Sequence, residues 1–311
     1  MLITIPFSVA DANIVSCNVL ENDAPVHNML ATYGLNDLVI TTGVDEHRVW
    51  RSVHGVTGTW PSGNVGFSPL AELDLDNPVH WSLVGATNKY KMFDGYVSSQ
   101  TSNPELITFT VKDLGIVNTL ALIGCEGAYA TIDVVDNIDG LVYSESVDLV
   151  SYSSISSYYS YYFSPVYRKN FAVFENIPPY LNATITVTLV NPSGNAKLGA
   201  FVGGYGTYFG NIKFGSRVKN KSYSIKQQLP TGEYYFAQGN TARIGDFQFD
   251  FPNEQFDLLQ NLLKQLDVVP TLYIAYADYE YTLYYGIAID SDTTLSYVRE
   301  STCQIKLESL I

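Results

Sequence analysis

The chain has 311 residues, a length suited to two or three domains. Of these, 46% are hydrophobic, enough for real cores and too many for a disordered chain. A formal net charge of −14 argues against sequence-independent binding to a nucleic-acid backbone. Only 15% of residues are charged, whereas 24 Tyr and 15 Phe accompany many Thr, Val and Ile. Those residue types suit a half-buried pleated surface, so composition leans towards all-β. Cys17, Cys125 and Cys303 are widely spaced and form no C-x-x-C pair, so they read as free thiols rather than as a zinc, redox or disulfide framework.

In chain order, 2–9 and 13–20 read as short strands. No Lys or Arg precedes the first apolar run, so a secretory signal is not expected there. No run approaches the roughly 18 apolar residues of a membrane span. After the polar connector 21–28, the segment from Tyr33 to Trp81 is crowded with Gly and Pro turn signals around short strands at 37–41 and 47–53. It holds Trp50, Trp60 and Trp81, the three tryptophans of the chain. It reads as a small β module whose core is little more than its aromatics, and Trp81 is the ring most expected inside. Exposed, Trp50 or Trp60 would offer a flat face to the C–H face of a sugar.

Longer strands follow at 106–112, 118–125, 129–136, 140–149 and 182–192, with Ile185, Val187 and Leu189 on one face. Strands at such intervals predict an antiparallel sandwich of jelly-roll type. The uncharged segment 149–167 reads as a strand pair with a polar loop, or as an exposed aromatic surface for a glycan or a protein neighbour, with Tyr158 and Tyr159 as stacking candidates. The Gly-rich run 199–214 lacks the spacing and following helix of a dinucleotide loop and reads as a flexible crossover. Farther on, Phe256, Leu259, Leu262, Leu263 and Leu266 fall at spacings of three and four, which predicts a helix over 252–267 opened by Pro252. A hairpin at 271–277 and 281–290 and a last strand at 304–311 complete an α+β unit.

Chemistry-bearing patterns are sparse. His27, His47, His54 and His80 show no ligand spacing, and G-x-S-x-G is absent. Asp133, Asp136 and Asp139 read as a strand end and solvated turn rather than as a calcium loop or a glycosidase pair. No catalytic residue, metal site or cofactor is expected.

The stretch 16–53, followed by "WSLVGATNKYKMFDGYVSSQT" at 81–101, resembles a family of tailed-bacteriophage virion proteins, the minor tail or carbohydrate-binding-domain proteins. The family's Trp–Asn–basic–Met–Phe–Asp block matches Trp81, Asn88, Lys89, Met92, Phe93 and Asp94. Tyr90 stands where members usually carry a Trp-type residue. The resemblance implies a mainly β, multidomain virion protein of the tail tip or baseplate, made in the host cytoplasm. Its partners would be other tail proteins and copies of itself. The expected units are an N-terminal arm at 1–32 packing on the sandwich, a small carbohydrate-binding-like module at 33–90, a β-sandwich at 91–198 and an α+β domain at 199–311. Trp81, Asn88, Met92, Phe93 and Asp94 would then form a structural module junction. A receptor-binding module for host surface polysaccharide is the second expectation, and a tail-associated glycan hydrolase the third.

Overall fold

A computed structural model describes residues 1–28, 31, 33–43, 46–53, 81–151, 155–163, 167–228, 232–276 and 279–310. Trp60, His54 and His80 lie outside the described residues. The structure is mainly β, with 56% of the described residues in strands and 10% in helices. Three sheets carry the architecture, and every ladder within them is antiparallel.

The largest sheet has nine strands, in the order Phe171–Phe174, Thr119–Ile123, Ala200–Tyr208, Leu2–Pro6, Thr271–Ile274, Leu283–Thr294, Glu300–Ser309, Thr241–Pro252 and Arg217–Ser222. A five-stranded sheet runs Ile14–Cys17, Thr101–Val111, Thr184–Leu198, Tyr129–Asp136 and Gly140–Asp148. The smallest joins Leu38–Gly43, Glu46–Ser52 and Trp81–Ala86.

Alternation explains the five-stranded sheet. Ile185, Val187 and Leu189 are buried while the intervening threonines are half-exposed, as the period of two requires. These side chains, with Ile107, Phe109, Ile132 and Val134, meet Leu120, Leu122, Phe174 and Phe201 of the large sheet in one sandwich core. Thr119–Ile123 is buried at every position. Leu120 and Leu122 face that core while Ala121 and Ile123 face a second one with Leu272, Leu283 and Tyr285. A strand covered on both faces reads as a continuous apolar run.

At the other end of the large sheet, Phe247, Phe249 and Phe251 bury against Leu259, Leu262 and Leu266. Leu259 and Leu262 belong to the helix Phe256–Gln265, which one 3-10 turn, Asn253–Gln255, precedes. The predicted helix is thus present with shorter bounds.

Three sequence expectations change. The Gly-rich run 199–214 is largely the strand Ala200–Tyr208, buried over its first five residues, rather than a crossover. Glycine is needed there for close approach: a Cβ on Gly204, at φ +154°, would lie 1.8 Å from the Ile5 carbonyl oxygen. The large sheet also runs across the expected boundary at 198/199, because Ala200–Tyr208 pairs with Thr119–Ile123 on one side and Leu2–Pro6 on the other. Finally, the Tyr- and Ser-rich segment forms a short helix, Tyr158–Phe163, between the two-residue strands Val150–Ser151 and Tyr167–Arg168.

The N-terminal residues are shared out among all three sheets. Leu2–Pro6 is an inner strand of the large sheet, Ile14–Cys17 is an edge of the five-stranded sheet, and Val26 bridges to Ile40 of the smallest.

Candidate functional site

The stretch 81–101 begins as the third strand of the small sheet and ends as the first residue of a long sandwich strand. Between them the chain must turn with few ladder bonds, and side chains supply the missing partners. Asn88 Nδ2 donates to the Ser102 carbonyl at 2.8 Å while Asn88 Oδ1 accepts from the Ser102 amide at 2.9 Å. Thr101 Oγ1 accepts from the Met92 amide at 2.9 Å. Asp94 accepts from the Tyr96 amide at 2.8 Å and from Ser99 Oγ at 2.6 Å. Burial holds the Asp94 carboxyl above its ordinary 3.8, against the pull of those two donors. Met92 is fully buried in the sandwich core, and the Phe93 ring packs edge-on to Phe109 at 5.4 Å.

Trp50 cannot stack on a glycan. It is 1% exposed, sits with Tyr33, Val39 and Trp81, and donates from Nε1 to Thr41 Oγ1 at 3.2 Å. The cause is register: Trp50 lies opposite Val39 on the face that the module must bury. Trp81 is fully buried, as expected, with the His27 ring edge-on to it at 5.4 Å. Trp60 is outside the described residues. Tyr158 and Tyr159 are 88% and 75% exposed, on the short helix far from any tryptophan in sequence.

Sequence reasoning missed the most connected polar cluster. His47 Nδ1 lies 2.7 Å from Glu21 Oε1 and His47 Nε2 lies 2.8 Å from Asp11 Oδ2. The Tyr90 ring stacks on the imidazole at 3.7 Å between centroids, with an interplanar angle of 8°. Thr87 Oγ1 donates to Glu21 at 2.8 Å, and the Thr87 amide donates to the His47 carbonyl at 3.0 Å. The Tyr90 phenol is pushed upward by burial and by its hydrogen bond to Asp11. These residues come from the N-terminal segment, the small sheet and the junction. The contacts that join the segments span 26 positions for Glu21 with His47 and 66 for Glu21 with Thr87. Only the placement of Tyr90 in the matched block hinted at them.

A cavity of about 700 Å³ opens beside this cluster, lined in part by Asp11, His47, Arg48, Tyr90 and Asp94. Phe93 and Asp94 also line a second cavity of about 390 Å³, against Phe201 and Tyr285. Both ring nitrogens of His47 are taken by the chain's own carboxylates. The imidazole therefore acts as a tie between segments, with no nitrogen turned to a substrate. Among the described residues, no group of three His, Cys, Asp or Glu could hold a metal ion. Nor is any helix there long and apolar enough to cross a membrane.

Two further features stand outside the cores. The helix Tyr158–Phe163 exposes five rings, with Tyr159 and Phe163 in contact at 4.9 Å. The hairpin Ile225–Gln228 with Tyr234–Ala237 forms its own two-stranded sheet and exposes Ile225, Tyr234, Tyr235 and Phe236. Compared with protein-family models and with curated proteins, the chain matches none.

Proposed function

We propose that this chain is a non-enzymatic structural component of a bacteriophage tail, at the tail tip, the baseplate or an adjacent assembly, and that it acts through protein–protein interfaces. The observation that carries the reading is aromatic surface held outside every core. The helix Tyr158–Phe163 and the hairpin at 225–237 together expose nine large apolar side chains among fourteen strand and helix residues. Exposed patches of this kind mark interaction sites, and Tyr-rich ones suit protein contact. The resemblance at 16–53 and 81–101 supplies the particle. Polar groups at the junction are engaged with one another, which favours a scaffold over a reaction centre.

The test is where the chain goes. Light scattering on the purified protein should give an oligomer, and mass spectrometry of intact particles should find it. A strict monomer that is absent from particles refutes the reading.

A second reading, recognition of host surface polysaccharide, draws on the exposure of Tyr158 and Tyr159. It requires saccharide binding that Tyr158→Ala with Tyr159→Ala abolishes while the fold is kept. A blank glycan array refutes it.

A further inference from the structure

Charge is segregated along this chain. From residue 113 to 167 there are seven acids, Asp113, Glu126, Asp133, Asp136, Asp139, Glu145 and Asp148, and no Lys, Arg or His. From 176 to 232 there are six cations, Lys197, Lys213, Arg217, Lys219, Lys221 and Lys226, and no acid. Asp133, Asp136, Asp139, Glu145 and Asp148 fall on one hairpin at the free edge of the five-stranded sheet. Arg217, Lys219, Lys221 and Lys226 fall along the free edge of the large sheet and the hairpin that continues it, whose turn also carries Glu233. Lys197 lies elsewhere, paired with Glu126. Gly140–Asp148 is the outer strand of the five-stranded sheet, beside Tyr129–Asp136. Arg217–Ser222 is the outer strand of the large sheet, and every one of its residues is exposed. The chain continues from it into the hairpin of Ile225–Gln228 with Tyr234–Ala237.

Each hairpin also has an apolar centre. On the basic one, Ile225, Tyr234 and Phe236 are more than half exposed, with the last two rings stacked at 5.9 Å. On the acidic one, Ile138 and Leu141 are exposed at the turn and strand start. Ala130, Ile132 and Val134 point into the core, so Tyr129 and Asp133 point outward, and Asp148 lies opposite Tyr129 on that same face. A lone two-stranded hairpin is marginal in water. One with four uncovered apolar side chains on its strands calls for a partner surface.

We propose that the basic hairpin of one copy docks on the acidic hairpin of a second copy of this chain, head to tail; the proposal rests on the assembly reading above and names the surfaces. Apolar centres meet while rims of opposite sign set the register. Because the two surfaces differ, the contact is heterologous and propagates into a ring or an open filament.

The experiment uses the full chain and two charge-swapped variants, Lys219→Glu with Lys226→Glu, and Asp133→Lys with Asp148→Lys. Circular dichroism checks that each is folded. Sedimentation velocity should show wild-type oligomers whose dissociation constant rises about tenfold or more from low to high salt. Each variant alone should sediment as a monomer, and a one-to-one mixture should reassemble, since each altered hairpin then meets its opposite. A wild type that is monomeric at all salt concentrations overturns the proposal. Wild-type oligomers that neither swap disturbs also overturn it while leaving the assembly reading standing. Failure of the mixture to recover would assign the two hairpins to other partners and overturn pairing between copies.

Discussion

Replacing His47 with Ala tests whether the small sheet is tied down by its polar cluster. The substitution removes two contacts to carboxylates, at 2.7 and 2.8 Å, from a ring whose side chain is 12% exposed. Hydrogen bonds to charged groups are worth about 1.5–3 kcal/mol each. Thr87 still donates to Glu21 and Tyr90 to Asp11, and the two carboxylates are 15% and 25% exposed, so the lower end applies. That gives about 3 kcal/mol for the two bonds, and the lost stack on Tyr90 adds about 0.5–1.5 kcal/mol. The expected cost is about 4 kcal/mol, which raises local opening by nearly a thousandfold, roughly. Hydrogen exchange read by mass spectrometry should show this as faster exchange over Leu38–Ser52 and Trp81–Ala86, with little change over Thr184–Leu198. His47→Gln keeps one donor and should show about half the effect. Exchange within about threefold of wild type, with an unchanged unfolding midpoint, would refute the tie, since a worthless contact leaves opening alone.

Trp50→Ala should cost about 3–5 kcal/mol and abolish the near-ultraviolet signal of the small module, because the ring is fully enclosed; an unchanged melt would restore it as a surface residue. Burial holds the His27 imidazole below its ordinary 6.5, so the unfolded chain binds the proton more readily. The native state therefore loses stability as pH falls through 6.5 and regains it above, and His27→Phe should flatten that slope in urea midpoints taken across it. The Asp94 carboxyl is shifted the other way, above 3.8, so its contribution is lost as pH rises through the carboxylate range. Asp94→Asn should accordingly gain on wild type as pH rises through that range, read from urea midpoints taken across it. Gly204→Ala forces a Cβ to 1.8 Å from the Ile5 oxygen and should loosen Leu2–Pro6. Gly115→Ala, with nothing within 4 Å, should cost only the left-handed backbone, about 1–2 kcal/mol, by denaturant unfolding.

Much of the fold was legible because its signals are local. Regular spacing of strands between turns marked Tyr129–Asp136 with its observed bounds, and the spacing of Leu259, Leu262 and Leu266 marked the helix face. The Asp136 turn was legible too, since the carboxylate accepts from the Ile138 and Asp139 amides at 2.8 and 3.1 Å. What failed was long-range. Glycines at 203 and 204 looked like a linker, yet they are the places where two neighbouring strands leave no room for a side chain. Trp50 looked like a ligand platform because sequence does not say which face of a three-stranded sheet is covered. The His47 cluster was invisible because its members come from three separate segments.

The N-terminal segment explains why the expected partition into independent units does not follow the sheets. Leu2–Pro6 completes the middle of the large sheet, so the ladder from Ala200–Tyr208 to Thr271–Ile274 passes through it. Ile14–Cys17 closes an edge of the sandwich sheet, and Asp11 and Glu21 grip His47 of the small one. One stretch of fewer than thirty residues therefore couples all three sheets, and the junction at 81–101 returns the chain across the same seam. Coupling of this kind suits a part that must transmit position rather than open and close: a ligand or neighbour at one sheet meets a body whose other sheets are held by shared strands. The helix Tyr158–Phe163 and the hairpin of Ile225–Gln228 with Tyr234–Ala237 leave large apolar side chains exposed, and Gly140–Asp148 and Arg217–Ser222 are free sheet edges. Under the proposed function, these free edges and exposed aromatic side chains are where other molecules would join the chain.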